Sequence, residues 1–302
     1  MLEIDVDDNV ALEARRPRLG VIGGSGLYAL EGFTEIERVE IETPFGKPSE
    51  AVRIGTLGGI RVAFLSRHGA GHRLGPSEVP YAANICALKL LGVERLVSIS
   101  AVGSLREELP PRSLVVPDQT IDRTVGRRRT FFDAGIVAHV SLADPFCPQL
   151  SEQLAEFAPL SGLPVQRGGA YLCIEGPQFS TRAESALYRA WGASVIGMTA
   201  LPEARLAREA ELCYACLAMV TDYDVWHASA GTVNVATVIA NLEAMASAVQ
   251  TVVLALAESE PAVCTSGCGT ALAAAIITSP GAISDAARAR LAPIVGQRIL
   301  PA

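Results

Sequence analysis

The sequence predicts an α/β fold, a single domain in which helices cover both faces of a central β-sheet. Apolar stretches of strand length alternate with stretches of helical periodicity along most of the chain. Half of the 302 residues are hydrophobic and 19% are charged, so the chain can bury a large core. The sequence shows no internal repeat and no clear linker, and we therefore expect residues 1–302 to form one domain.

The individual elements follow from hydrophobic spacing and from turn residues. Strands are predicted over residues 18–27, 61–66, 95–105, 113–124, 171–179, 194–199 and 212–220. Helices are predicted over residues 77–93, with Ser77 as the N-cap, and over 180–193, 201–212 and 233–256. Residues 258–302 are rich in Ala, Gly, Ser and Pro, with one helical stretch near 286–291. We expect them to form a divergent C-terminal extension, either an appendage or a partner-binding arm.

Composition excludes several classes of partner. The net charge of −7 argues against a nucleic-acid partner held through its phosphates, and an aromatic content of 5% argues against a base-stacking platform. We expect no membrane span, because no apolar run reaches the required length. The acidic start MLEIDVDDNV differs from the basic start of a signal peptide. Seven cysteines, an odd number, fit a reducing cytoplasm.

The cysteines themselves are predicted to be structural. Cys213 and Cys216 form a CxxC pair within an apolar run, which favours buried core thiols over a redox or metal motif. Cys264 and Cys268 lie in a small polar segment, CTSGC, and either pair or stay free, with free thiols favoured. The sequence has no histidine pair at ligand spacing, so no metal site is predicted.

Ligands of open α/β sheets bind beyond the carboxyl ends of the strands. Six predicted strands end there in small, polar or charged residues: GGSG at 23–26, SRHGAGH at 66–72, SAVGS at 100–104, EGP at 175–177, GMT at 197–199, and Asp222 with Asp224. We therefore expect these clusters to meet at one edge of the sheet.

Three features of these clusters suit an anion. The glycine turn offers backbone N–H groups and the Ser25 hydroxyl, and Arg67 offers a planar guanidinium fork. Ser100 and Thr199 add hydroxyl donors. GGSG alone is a weak signal, because it fits neither a P-loop nor a dinucleotide fingerprint. The convergence of all three features favours a phosphate site.

Asp222 and Asp224 directly follow the apolar run 212–220. In an extended backbone two residues separated by one other residue project to the same face, and two close carboxylates tend to hold one proton between them. A held proton suits a general acid, for example one that donates to N7 of a departing purine. An ionised carboxylate also accepts from an exocyclic amine, which favours adenine over a 6-oxopurine. The alternatives are a helix N-cap with a solvated neighbour, or a metal site.

Ten segments in order resemble one known family. These are GVIGGSGL, ETPFGKPSE, SRHGAGH, SAVGSLREE, PDQTIDRT, FFD, DPFCP, IEGPQFSTRAES, GMT and MVTDYDVW. They resemble the 5′-methylthioadenosine phosphorylases, a branch of the trimeric purine nucleoside phosphorylases, over about residues 20–256. The resemblance implies one domain with a twisted mixed sheet surrounded by helices, with a family-like core at about 18–257. It also implies a homotrimer, sometimes doubled to a hexamer, that uses inorganic phosphate as co-substrate and needs no cofactor.

The resemblance also implies a role for particular residues. The implied phosphate site is Ser25, Arg67, His68, Ser100, Ala101 and Thr199. The implied ribose contact is Met198, and the implied base pocket is Phe179 and Ser180 with Asp222 at N7 and Asp224 at the amino group. His72 and Ser77 are candidates for indirect support.

The 5′ end of the sugar would distinguish a methylthio from a hydroxyl substrate. Val235, Val238 and Ile239 share one helix face at the position where family members line that pocket, although a plain core stripe fits Val238 and Ile239 equally well. His139 matches a histidine that relatives contribute across a subunit boundary; as a residue among apolar neighbours it also fits a core histidine. The chain departs from many relatives in Ser25, where threonine is common, and in a tail that we could not align.

Three rival functions remain open from the sequence. The nearest is a phosphorylase of 6-oxopurine nucleosides such as methylthioinosine or inosine, whose members usually carry asparagine at the first aspartate. A hydrolase would use water in place of phosphate. A nucleotide-binding regulatory module would bind its ligand without turnover.

Overall fold

A computed structural model of the protein describes residues 16–24, 32–227 and 233–296. Within these ranges eleven strands form one mixed sheet. The strands are β1 (Leu19–Gly23), β2 (Thr34–Val39), β3 (Val52–Leu57), β4 (Ile60–Ser66), β5 (Arg95–Ser104), β6 (Leu114–Val116), β7 (Gln119–Arg123), β8 (Val165–Arg167), β9 (Ala170–Ile174), β10 (Val195–Gly197) and β11 (Cys213–Asp222). The α-helices are α1 (Tyr81–Leu90), α2 (Pro148–Phe157), α3 (Arg182–Ala190), α4 (Ala200–Glu209), α5 (Val235–Glu258) and α6 (Asp285–Val295). Short 3-10 turns cover Ala70–His72, Ala158–Ser161, Cys268–Thr270 and Pro280–Ala282.

The centre of the sheet is parallel. Strands β4, β1, β5 and β11 lie side by side in parallel, so their carboxyl ends meet at one edge. Antiparallel pairs surround this centre: β2 with β3, β3 with β4, β10 with β5, and β11 with β6. The predicted mixed sheet is therefore confirmed.

Strand β11 shows why its sequence is apolar throughout. Successive side chains of a strand point to opposite faces, and both faces of this sheet are covered. Tyr214, Cys216 and Ala218 join one core with helices α1, α4 and α6. Ala215 and Leu217 join a second core with α2 and α5. The prediction of helices on both faces is confirmed.

Two predicted elements differ in the structure. The segment 113–124 is two strands, because Pro117 between β6 and β7 has no N–H for a ladder and the strands pair with different neighbours. The predicted N-cap at Ser77 is wrong. Helix α1 begins at Tyr81 after Pro80, without a side-chain cap, and the Ser77 hydroxyl instead contacts Glu175. Strands β2, β3 and β8 and helix α2 were also missed. Strand β2 is exposed and polar and so carries little hydrophobic signal, whereas β3 is mostly buried.

The C-terminal region is part of the core. Leu272, Ile283 and Leu291 are buried against the first core, and Cys268 is buried in the second. Helix α6 is capped by the Ser284 side chain, which accepts a hydrogen bond from the Ala287 N–H group. The described tail is therefore neither a loose appendage nor a free arm.

Helix α5 corrects the expectation about membrane spans. It has 24 residues, and by length and composition it is apolar enough to cross a membrane. One face of it, with Met245, Val249, Val252 and Leu256 at helical spacing, is buried in the second core of the sheet. Packing of this face within the domain accounts for the apolar residues on it, which are a minor part of the helix because 28% of the apolar window is buried.

Candidate active site

A pocket of about 610 Å³ opens at the carboxyl ends of the central strands. This volume suits a ligand of nucleoside size. The side chains and backbone that surround it come from the strand ends that the sequence singled out, and from one face of α5. The pocket is lined by Gly24, Arg67, His68, His72, Pro76, Ser100, Ala101, Val102, Gly103, Ile174, Pro177, Phe179, Ser180, Ile196, Gly197, Met198, Thr199, Thr221, Asp222, Asp224, Val235, Val238, Ile239, Leu242 and Glu243. Ser25 lies outside the described residues.

Hydroxyl groups form one side of the pocket. Ser100 Oγ lies 3.2 Å from Thr199 Oγ1 and 2.9 Å from the Tyr171 hydroxyl. Tyr171 is fully buried, and burial raises its pKa, so it keeps its proton. A side chain at Gly197 would overlap the Tyr171 ring, so glycine is needed there. The sequence analysis missed Tyr171, which positions the predicted anion-binding hydroxyl of Ser100.

The predicted guanidinium fork of Arg67 is already engaged. Its Nε and Nη2 atoms donate to the two carboxylate oxygens of Glu203 at 2.8 and 3.0 Å, and both side chains are 1% exposed. Nη2 also donates to Ser98 Oγ, and Nη1 donates to the Ile99 carbonyl oxygen. These four bonds to described residues use four of the five guanidinium hydrogens and leave one on Nη1. Arg67 lines the pocket, but it can offer a phosphate one N–H group, not a bidentate fork.

Burial by itself would lower the pKa of Arg67, and the attraction of Glu203 more than offsets this. The Tyr214 hydroxyl donates a further hydrogen bond to Glu203 Oε1 at 2.9 Å. Glu203 was not singled out from the sequence. The helix that carries Glu203 has two acidic residues, Glu203 and Glu209, both buried. A buried arginine needs a counter-charge, and this is the signal that could have identified Glu203.

His68 is a neutral acceptor toward the pocket. Its Nδ1 atom lies 2.8 Å from the Leu74 carbonyl oxygen, so Nδ1 carries the hydrogen and Nε2 keeps a lone pair. Burial, followed by the adjacent Arg67 charge, lowers the pKa of His68 to about 4. In this state Nε2 can accept a hydrogen bond from an alcohol hydroxyl or from an O–H group of a partly protonated anion.

The two aspartates meet in the pocket by a different geometry from the one predicted. Strand β11 ends at Asp222 after a bulge, and Asp224 lies in a turn with φ +52°. The extended-backbone argument is therefore wrong. The turn holds the residues together because the Asp224 N–H group donates to Asp222 Oδ1 at 2.8 Å.

Burial is the main cause of the raised pKa of both carboxyl groups. Repulsion from Asp224 makes a smaller contribution to the pKa of Asp222, so the mutual repulsion that we invoked is not the dominant effect. Asp224 is 4% exposed, and hydroxyls of Ser180 and Ser185 beside it lower its pKa less than burial raises it. Within the part of the chain that the structure describes, neither Asp224 Oδ2 nor Ser180 Oγ has a partner at ordinary hydrogen-bond geometry. Two such atoms beside one pocket are suited to polar groups of a ligand.

The Thr221 hydroxyl connects Asp222 to the sheet. It lies 2.7 Å from Asp222 Oδ2 and 3.2 Å from the Val102 carbonyl oxygen. A hydroxyl has one hydrogen, and both neighbours can be satisfied at once when Oδ2 carries a proton and Thr221 donates to Val102. The arrangement thus accommodates a protonated Asp222.

Met198 lies in a loop that a buried arginine fixes. Arg127 donates to the carbonyl oxygens of Met198, Leu201 and Glu175 at 2.6, 2.7 and 2.7 Å. Arg127 is therefore a positioning residue that the sequence analysis missed. Ser77 and Glu175 belong to the same network, whereas His72 lines the pocket itself.

The remaining predicted residues fall into two groups. Val235, Val238 and Ile239 line an apolar wall on α5, joined by Leu242. The alternative of a core stripe concerned Val238 and Ile239: Ile239 is 48% exposed and is not part of a core, whereas Val238 packs against the second core as well as lining the pocket. His139 is exposed and does not line this pocket, which excludes a buried core histidine.

The family match agrees with this architecture. Residues 18–258 match the Phosphorylase superfamily, and the chain belongs to this family. The resemblance to methylthioadenosine phosphorylases is also confirmed. The chain is 50% identical to the S-methyl-5′-thioadenosine phosphorylase of Koribacter versatilis, over 92% of this chain and 96% of that protein. It is 55% identical to the enzyme of the same name from Chloroflexus aurantiacus, over 92% of this chain and 97% of that protein.

Solved structures give the same result. A methylthioadenosine phosphorylase from an antarctic soil metagenomic library matches with a TM-score of 0.85 and 47% identity, over 95% of this chain and 100% of that one. The Schistosoma mansoni methylthioadenosine phosphorylase in complex with adenine matches with a TM-score of 0.77 and 36% identity, over 80% of this chain and 91% of that one. A match over 95% of the chain must include part of residues 258–302.

Proposed function

We propose that the protein catalyses phosphorolysis of S-methyl-5′-thioadenosine. Inorganic phosphate attacks C1′ of the ribose, the C1′–N9 bond breaks, and the products are adenine and 5-methylthioribose 1-phosphate. The observation that carries this proposal is a pair of aspartates, Asp224 buried and Asp222 half-buried, in the same pocket as a hydroxyl cluster and a buried arginine. The names of the relatives support the same activity.

In this proposal, phosphate binds at the hydroxyl cluster. Ser100 and Thr199 donate to its oxygens, the free N–H group of Arg67 donates a third bond, and His68 accepts from a protonated phosphate oxygen. Ala101 and Ser25 complete the predicted site. Holding phosphate in line with C1′ supplies much of the rate through proximity and orientation.

The base binds at the aspartates in this proposal. Asp222 donates a proton or a hydrogen bond to N7, which stabilises the negative charge of the departing purine. Asp224 Oδ2 has no partner at ordinary hydrogen-bond geometry among the described residues, and in this proposal it accepts from the exocyclic amine of adenine. A 6-oxopurine would place an acceptor against this oxygen, which is unfavourable. Phe179 and Ser180 flank the base.

The sugar lies between the two sites. Met198 contacts the ribose, and the wall of Val235, Val238 and Ile239 accepts the methylthio group, since a thioether prefers apolar surroundings. The reaction requires no cofactor, and we propose that phosphate is the sole co-substrate. A small nucleoside substrate, with neither nucleic acid nor membrane as partner, fits an enzyme of the cytoplasm.

The proposed activity is tested by base release from methylthioadenosine and from methylthioinosine, each with and without phosphate. We expect adenine only when phosphate is present, and little hypoxanthine from methylthioinosine, because Asp224 disfavours an oxygen at that position. Faster release of hypoxanthine would contradict the role of the aspartates. Release that is independent of phosphate would show a hydrolase.

We further propose that the protein acts as a homotrimer, with His139 in the pocket of a neighbouring subunit. His139 is exposed, and its N–H group donates to the Ala275 carbonyl oxygen at 2.8 Å, so the C-terminal region holds it at the surface. We expect light scattering to give a trimer or a hexamer, and His139→Ala to raise KM for the nucleoside while leaving the assembly intact. A fully active monomer would contradict this proposal.

A further inference from the structure

Four cysteine side chains converge at a place separate from the pocket. The Sγ atoms of Cys147, Cys213, Cys264 and Cys268 all lie within 4.8 Å of one another. Cys147 Sγ and Cys264 Sγ are 3.9 Å apart, too far for a disulfide bond of about 2.05 Å. All seven cysteines of the chain are described, and all are free thiols. None of the four lines the pocket.

We propose that these four thiols form a structural Zn²⁺ site of the Cys₄ type. In a tetrahedral Cys₄ centre the Zn–S bonds are about 2.3 Å, which places the sulfurs about 3.8 Å apart. The observed sulfur separations match such a centre after small side-chain adjustments. Cys147 and Cys268 are buried and the other two are half-buried, so a bound ion would be largely shielded from water. Structural zinc sites are closed in this way.

The surroundings favour thiolates. Cys147 is the N-cap residue of α2, so its sulfur lies at the positive end of the helix dipole, which favours its ionised form. A Cys₄ zinc centre carries two negative charges overall. Arg95 lies next to Cys213 in the pairing of β5 with β11, Arg208 donates to the Asp144 carbonyl oxygen three residues before Cys147, and both arginines are nearly buried. Two guanidinium groups would balance the charge of the centre.

The four ligands come from three separate parts of the fold. Cys147 precedes α2, Cys213 begins β11, and Cys264 and Cys268 follow α5. The backbone already joins the first two, because the Cys147 N–H group donates to the Tyr214 carbonyl oxygen at 2.7 Å. A metal would add a link from this framework to the tail, where side chains of Gln149, Thr265 and Ser266 also meet. The ion would therefore stabilise the docking of the C-terminal region.

This proposal replaces our prediction of no metal site. It also separates Cys213 from Cys216, which the sequence grouped as one CxxC pair of core thiols. Successive side chains on β11 alternate between faces, so Cys216 joins the first core while Cys213 packs against the second. These two residues therefore give a matched pair of variants.

The experiment measures zinc by elemental analysis in the full chain purified under reducing conditions. We expect about one zinc per chain in the unaltered protein and in Cys216→Ser, and a loss of bound zinc in Cys213→Ser and Cys264→Ser. Zn²⁺ added to chelator-treated protein should restore one equivalent, and Co²⁺ in its place should give the intense visible absorption of a tetrahedral thiolate site. A strong chelator should lower the midpoint of thermal unfolding of the unaltered protein more than that of Cys264→Ser.

Three results would overturn the proposal. The protein and its Cys213→Ser variant could hold equal amounts of zinc, which would show adventitious binding only. Added Zn²⁺ and Co²⁺ could fail to bind the reduced protein. Alkylation followed by mass measurement could show disulfides among these four cysteines in the protein isolated from a reducing environment.

Circular dichroism confirms folding of each variant, and Cys264, half-exposed in the tail, is the ligand whose replacement disturbs the fold least. Phosphate-dependent base release serves as a separate readout, because none of these cysteines lies in the pocket.

Discussion

Replacing Asp222 by alanine is expected to lower kcat for phosphorolysis by about 10²- to 10⁴-fold, the usual contribution of a general acid. Burial raises the pKa of this carboxyl group, and the Thr221 hydroxyl and the Asp224 N–H group fix its position. The affinity for phosphate should change little, because phosphate is held by Ser100, Thr199 and Arg67. Steady-state kinetics of adenine release, with phosphate binding measured by calorimetry, checks both expectations.

The variant Asp222→Asn tests whether turnover depends on proton transfer from the Asp222 carboxyl group or only on the shape of this side chain. The amide keeps the volume and can donate to N7, but it cannot transfer a proton, so we expect most of the loss to persist. Asp285→Asn is the matched control, because Asp285 is an exposed aspartate in the first turn of α6 and should leave kcat unchanged. Equal losses of turnover and phosphate affinity in Asp222→Ala would contradict the assignment of this residue to the base.

Replacing Glu203 by leucine is expected to lower the free energy of unfolding by about 3–5 kcal/mol, because it leaves the buried guanidinium of Arg67 without a counter-charge. Urea denaturation of this variant measures the loss. The double variant Arg67→Met/Glu203→Leu should recover part of this stability, since two apolar side chains can replace a buried ion pair. The double variant should nevertheless bind phosphate poorly, because the N–H group of Arg67 that faces the pocket is gone.

An exposed ion pair of similar length gives the control. Arg53 Nε lies 2.7 Å from Glu35 Oε2, and Arg67 Nε lies 2.8 Å from Glu203 Oε2, so the two pairs differ mainly in burial. Glu35→Leu should change the urea midpoint little, because exposed pairs contribute little to stability. A loss in Glu203→Leu no larger than in Glu35→Leu would show that Arg67 does not need this partner.

The sequence predicted the location of the site through a general property of parallel strands. Arg67 follows β4 and Asp222 ends β11, and the parallel pairing of the central strands brings these two ends to one edge. Ser100 instead lies within β5, and Thr199 reaches it because β10 runs antiparallel to β5. Hydrophobic alternation also predicted the central strands and the covering of both faces of the sheet. These features depend on local hydrophobic periodicity, which can be read directly from the order of the residues.

The sequence did not reveal partners that are distant along the chain. Glu203 holds Arg67 and Tyr171 holds Ser100 across the sheet, and no local pattern marks either contact.

By itself, then, the sequence determined the α/β class, the strand ends that carry polar residues, and a resemblance specific enough to imply the substrate. Only the tertiary structure decided how each group is used. In the tertiary structure the guanidinium group of Arg67 is hydrogen-bonded to Glu203, and Asp224 lies in a turn beside the end of β11. Four cysteines from three parts of the chain also lie close together there. The physical reason is that side-chain chemistry and periodicity are local, whereas hydrogen-bond partners, burial and the pKa changes they cause depend on which distant segments pack together.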